Sequence, residues 1–176
     1  MTMSAVVLVE GESDRIALET LAARRGVELA AEGVQVVAIG GAQAIRRALS
    51  EYSGVPVAGL YDIGEERAVL SGLARAGVTP AGFFACDPDL EGELVRALGP
   101  ERMLGLVESR GQLAAFRTYG KQPAQRSKPL EAQLHGWLHN WKIRYAAALV
   151  EALELDRVPR PLERVLEWVT AARLSR

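Results

Sequence analysis

Apolar and polar positions alternate along the chain in two rhythms, and the switches between them predict its elements. Residues 5–9 are a short apolar run, too short for a helix and flanked by polar residues, which predicts a strand buried on both faces. Ile16, Ala17, Leu18, Leu21 and Ala22 then recur at helical spacing, predicting a helix over 13–25 with Gly26 as its stop. The unit repeats in kind. Strands are predicted at 34–39, 57–61 and 82–85, and helices at 42–52, 65–76 and 89–98, with Gly40-Gly41 as a turn. Strand-helix alternation with short connections predicts an α/β fold with a mostly parallel four-stranded sheet and right-handed crossovers.

After Pro100 the pattern changes. A short strand is predicted at 103–107, then helices near 109–119, 128–139, 141–154 and 161–173. The breaks at 120–127 and 158–161 are too short to link independent domains. The expected division is an α/β core over 1–108 and a basic, mainly helical extension over 109–176 packed on it.

Composition narrows the class. Hydrophobic residues make up 49% and charged residues 24% of the 176 positions, which is folding composition rather than that of a disordered chain. No apolar run approaches the ~20 residues that span a bilayer, so a membrane role is not expected. One cysteine, Cys86, excludes an internal disulfide and a cysteine-based zinc cage, and fits a reducing, cytoplasmic setting. The net charge of -1 hides an asymmetry, with -7 over 1–108 and +6 over 109–176. Arg110, Arg117, Lys121, Arg126, Lys128, Lys142 and Arg144 are opposed within 109–145 by Glu131 alone, making them a candidate phosphate-facing surface or a solvated face paired with the acidic half.

Ligands of open parallel sheets bind beyond the carboxyl ends of the strands. Here those ends are acidic. The first predicted strand runs into Glu10-Gly-Glu-Ser-Asp14, the third into Asp62, and the fourth into Asp87-Pro-Asp-Leu-Glu91. Carboxylates gathered at one edge repel and raise one another's pKa unless a cation neutralises them, and an oxygen-only donor set selects magnesium or manganese. Capping is the competing explanation for Ser13, Asp14, Asp89 and Glu91, all in predicted first turns. Glu10 and Asp62 have no such structural task, while Glu12, Glu65 and Glu66 read as solvated.

Val7-Leu-Val-Glu-Gly-Glu-Ser-Asp-Arg15, with its strand, Glu-Gly-x-x-Asp and helix, resembles the opening motif of TOPRIM domains, a Rossmann-like fold shared by topoisomerases, bacterial primases and some nucleases. Together with Gly40-Gly41 and Asp89-Leu-Glu91, it is similar to the nucleases of the OLD (overcoming lysogenization defect) family. The resemblance covers residues 4–98 and extends more loosely to Lys142-Ile-Arg-Tyr-Ala146. It implies that Glu10 and Asp14 bind one metal ion, that Asp62 is shared with a second, and that Asp89 and Glu91 complete the second site. Glu10 would also assist proton transfer, and Lys142 or Lys128 would stabilise charge at the scissile phosphate. The implied cofactor is one or two Mg2+ or Mn2+ ions, and the implied reaction is DNA nicking or endonucleolytic cleavage.

Two departures from the family pattern matter. The usual Asp-x-Asp stands here as Asp62-Ile63-Gly64, so one carboxylate is missing. OLD proteins also carry an ATPase domain ahead of the TOPRIM domain, whereas this sequence opens at the TOPRIM strand and has no phosphate-binding Gly-x-x-x-x-Gly-Lys-Ser/Thr loop. No nucleotide cofactor is expected, and a separate ATPase or a second copy of the chain are candidate partners. The competing functions are a one-metal, non-catalytic module that binds nucleic acid or an ATPase, and a phosphohydrolase of small esters. The remaining signals have plainer readings: His135 and His139 lack a third zinc ligand, Trp137 and Trp141 read as core, Cys86 as a small buried residue, and Gly40-Gly41 as close backbone packing.

Overall fold

The computed structural model describes residues 3–174. Strands β1 (Ala5–Val9), β2 (Val34–Ala38), β3 (Val57–Asp62) and β4 (Phe83–Cys86) form one all-parallel sheet in the order β2-β1-β3-β4. Pairs such as Ala5–Val34, Leu8–Gly59 and Asp62–Cys86 set the register. The helices are α1 (Glu12–Arg24), α2 (Ile45–Glu51), α3 (Glu66–Ala76), α4 (Leu90–Leu98), α5 (Pro100–Ser109), α6 (Leu113–Gly120), α7 (Leu130–Leu138), α8 (Lys142–Ala152) and α9 (Arg160–Leu174). Among the described residues no helix is long and apolar enough to cross a membrane.

Side chains alternate along each strand, so the sheet presents two apolar faces. Val6, Leu8, Tyr61 and Phe83 pack beneath α2 and α3. Val7, Val9, Leu60, Phe84 and Cys86 face the opposite way, into a larger core that also holds Leu18 and Leu21 of α1, Leu94 of α4, Leu138 of α7, Leu149 of α8 and Leu162 of α9. Residues from both halves of the sequence therefore share one continuous interior. β1, central in the sheet, has all five residues buried, which is why it reads as an unbroken apolar run.

One predicted element is different. Residues 103–107 are not a strand but the middle of α5, which opens with Pro100 in its first turn. Met103 and Val107, four residues apart, are fully buried, whereas Leu104 and Leu106 are only partly covered. That is the helical period, and proline at the first helical position is pre-set for it.

The placement of α8 decides what reaches the strand ends. It lies along α1, and Arg24 at the end of α1 donates from Nη1 to the carbonyls of Val150 (2.6 Å) and Leu153 (2.9 Å). A cation on the last carbonyls of a helix satisfies groups that have no intrahelical partner and complements the helix dipole. With that end tied down, the other end of α8, where Lys142 sits, points to the carboxyl edge of the sheet.

Candidate metal centre

Glu10 follows β1 immediately, and its Oε1 accepts the Asp62 backbone N–H at 3.0 Å. Neighbouring parallel strands thus hold the first and second acidic motifs side by side. The Glu10 carbonyl accepts from the N–H groups of Gly40 (3.0 Å) and Gly41 (3.2 Å), so the turn after β2 folds back over the motif. Both glycines have positive φ, 78° and 107°, with nothing within 4 Å of where a Cβ would stand. Conformation, not the close packing expected from the sequence, is therefore what requires glycine here. Asp14, in the first turn of α1, accepts the Gly11 N–H at 2.9 Å on Oδ2. It is a helix-capping residue and a member of the acidic cluster at once.

The third motif opens α4. Asp89 is its N-cap, with Oδ1 accepting the Gly92 N–H at 2.7 Å. His135 of α7 places Nε2 2.8 and 2.9 Å from the two Asp89 carboxylate oxygens. Glu91, in the first turn of α4, is buried, and its Oε1 lies 3.8 Å from Lys142 Nζ. A lysine in the first turn of a helix opposes the dipole, and the carboxylates it faces account for that placement.

The electrostatics show that these groups converge. Burial raises the Asp62 carboxyl from an ordinary 3.8 to about 7, reinforced by the charges of Glu10, Asp14, Asp89 and Glu91. Burial likewise raises Asp14 to about 6; Glu91 and Glu10 add to the shift, while the Gly11 N–H and Lys142 oppose it. Burial also lifts the Cys86 thiol, next to Asp62 across the sheet, well above its usual range, so it is a packed residue and not a nucleophile.

The donor set suits a hard divalent cation. Glu10 and Asp14 each have one carboxylate oxygen engaged by a backbone N–H, which leaves the second oxygen of each for a cation, and Asp62 is only half-buried. Among the described residues no three acidic, histidine or cysteine side chains stand in an arrangement that could hold a metal ion as they are placed. Both oxygens of Asp89 are engaged, one by the Gly92 N–H and both by His135. Near the missing carboxylate at Gly64, Glu66 accepts from the Tyr61 hydroxyl at 3.3 Å, on the α2–α3 side of the sheet.

The structure thus brings together Glu10, Asp14, Asp62, Asp89, Glu91 and Lys142. Lys128 is exposed on the approach to α7, and no ion pair among the described residues ties it to the cluster. Arg110 lies over the Tyr145 ring at 4.8 Å and Arg144 over Trp141 at 5.3 Å. Arg117, Lys121 and Arg126 are exposed along α6 and the segment after it. His135 meets Asp89 and not the exposed His139, so its partner is one that helical spacing did not suggest. Trp137 is buried in edge-on contact with Phe116 and Tyr119, the core role expected of it.

Residues 3–63 match the family described as Overcoming lysogenization defect protein-like, TOPRIM domain. The fold is similar to the solved C-terminal region of the Burkholderia pseudomallei OLD protein, with a TM-score of 0.75 and 20% identity over 98% of this chain and 100% of that one. It is also similar to the C-terminal region of the Xanthomonas campestris pv. campestris OLD protein. The form phased with mercury gives a TM-score of 0.70 at 24% identity over 98% of this chain and 97% of that one. The form phased with iodine gives 0.72 at 23% over 98% and 96%. No curated protein matches the chain. The α/β TOPRIM fold with its helical extension is thus the fold of an OLD C-terminal region.

Proposed function

We propose that this chain is a divalent-metal-dependent nuclease module of OLD type that breaks DNA phosphodiester bonds. The observation that carries the reading is the convergence of carboxylates from three strand ends with Lys142 at one edge of a parallel sheet. Glu10, Asp14 and Asp62 are the residues that would hold a first Mg2+ or Mn2+, with Glu91 and Asp89 on the side of a second. Held there, such an ion would supply Lewis-acid chemistry to a phosphodiester. Glu10, its Oε1 fixed by the Asp62 N–H, orients its free oxygen toward the reacting groups and takes part in proton transfer. Lys142, paired with Glu91 and near enough to Asp14 to favour its charged form, places a positive charge where the scissile phosphate gains negative charge. The basic residues over 110–144 hold the rest of the nucleic acid through its phosphates. In this reading residues 1–108 carry the metal and 109–176 lay a basic surface beside it.

A second reading is a one-metal module that binds nucleic acid or a separate ATPase without cutting. Gly64 in place of the second motif's carboxylate, and Asp89 held by His135 and Gly92, favour it specifically. Conversion of supercoiled plasmid to nicked and linear forms, with magnesium, manganese or EDTA and with Glu10→Gln alongside, separates the two. Cleavage that needs both metal and Glu10 establishes the nuclease. Metal binding by calorimetry without cleavage establishes the binding module.

A further inference from the structure

The nucleic-acid surface read from the sequence lies wholly in the basic extension, yet the acidic half holds a basic cleft of its own. It is a polar cavity of about 250 Å³ between α2 and α3, on the opposite face of the sheet from α7 and α8. Its floor is a close helix contact: a Cβ at Gly72 would stand 2.4 Å from Ile45 Cγ2, so only glycine lets the two helices meet there. Arg46 and Arg75 line opposite walls, with the Gln43 amide and the Ser71 hydroxyl beside them, and no acidic residue lines the cleft.

Of the nine arginines in residues 1–108, Arg46, Arg47, Arg67 and Arg75 have no ion pair or hydrogen bond among the described residues, and Arg46 and Arg75 are the two of these that share a cleft. Arg15, Arg25, Arg96 and Arg102 are each in an ion pair, and Arg24 is spent on backbone carbonyls. Among the described residues Arg46 and Arg75 have no ion pair or hydrogen bond, although residues 1–108 carry seven more acidic than basic charges. Both guanidiniums are exposed and held by no protein acceptor, which leaves them open to an incoming anion, and phosphate is the group their planar forks match best. The position is as informative as the charge. The residues leading into α2 follow Gly41, whose N–H bonds the Glu10 carbonyl, and α3 follows Asp62 after one short turn. Arg46 therefore stands in the first turn of α2, close to the carboxylate edge, and Arg75 stands in the last turn of α3, so the cleft runs from that edge along the two helices.

We propose that the Arg46–Arg75 cleft is a second phosphate-binding site, which takes a backbone phosphate of the nucleic-acid strand whose scissile phosphate lies at the metal centre. The inference rests on the nuclease reading. It gives the strand a grip on each side of the carboxylates, one from the basic extension and one from α2 and α3.

Binding of a fluorescent 20-base-pair duplex, followed by anisotropy with calcium across a salt series, tests it. The double variant Arg46→Ala/Arg75→Ala should weaken binding about tenfold and flatten the dependence of log K on log salt by about 1.8, the slope of two lost phosphate contacts. Arg46→Lys/Arg75→Lys should restore most of the slope. Arg102→Ala, which removes an exposed charge elsewhere, should change neither. An Ala double variant with the parent's affinity and slope, in a protein that still cuts plasmid, overturns the cleft and leaves the nuclease reading standing. Failure of the parent protein to bind the duplex overturns both.

Discussion

The strand-helix half and the helical half contribute opposite parts of one centre. The first supplies carboxylates through a rule of topology: parallel strands end at a common edge, and three of these four run into acids. The second supplies what faces them, Lys142 from α8 and His135 from α7, through docking that no local pattern encodes. The acids arrive with the sheet, and the lysine and the imidazole that face them arrive with the packing of helices far along the chain. A parallel sheet therefore concentrates charge cheaply, and the groups set against those carboxylates are where the structure carries its specificity.

The contrast can be broken most sharply from the acidic side. Glu10→Gln and Asp62→Asn are each expected to reduce plasmid cleavage by roughly a thousandfold and to weaken magnesium binding by calorimetry. Neither should unfold the chain, since each relieves like-charge repulsion. Unchanged metal affinity in both variants would remove the metal assignment. From the cationic side, Lys142→Ala is expected to slow single-turnover cleavage by roughly a hundredfold or more while DNA affinity falls much less. Equal losses in rate and affinity would make Lys142 a phosphate contact only.

The third expectation concerns protons. Asp62 and Asp14 titrate near 7 and near 6 in the folded chain against 3.8 ordinarily, so folding takes up protons between those values. Without metal, stability therefore declines as pH rises from about 4 to about 7 and levels off above that, which urea denaturation in EDTA would show. Magnesium must displace those protons, so its apparent affinity should fall roughly fivefold from pH 7 to pH 6 through Asp62 alone. A flat affinity over that range would place the ion away from Asp62. The smallest effect belongs to Asp89→Ala. Loss of the α4 cap should cost about 1 kcal/mol in denaturant titration, and metal stoichiometry measured beside it reports whether Asp89 also serves a second ion.

The same contrast explains what could be read from the residues alone. β1 to β4 were legible because strands buried on both faces are short, apolar and bounded by glycine or acid, and the strand order of the sheet then put Glu10 beside Asp62. Residues 103–107 were not legible as helix because five apolar-rich positions fit either period, and Pro100 at the helix start is the local feature that separates the two. The roles of the glycines at 40 and 41 needed dihedral angles. The partnership of His135 with Asp89 spans 46 residues and depends on how α7 docks on α4, which spacing along one helix cannot disclose.

The lengthwise packing of α8 on α1 also bears on how the chain folds. Its central strand pairs with β3 about fifty residues later, and the helix that follows that strand waits about 130 residues for α8. Contacts so distant in sequence slow folding, because loop closure must precede their stabilisation. During that interval Glu91 and Asp14 lack the charge of Lys142. A divalent ion present from the start would stand in for the missing lysine, so magnesium should accelerate refolding, acting as a counter-ion for assembly before it serves any chemistry.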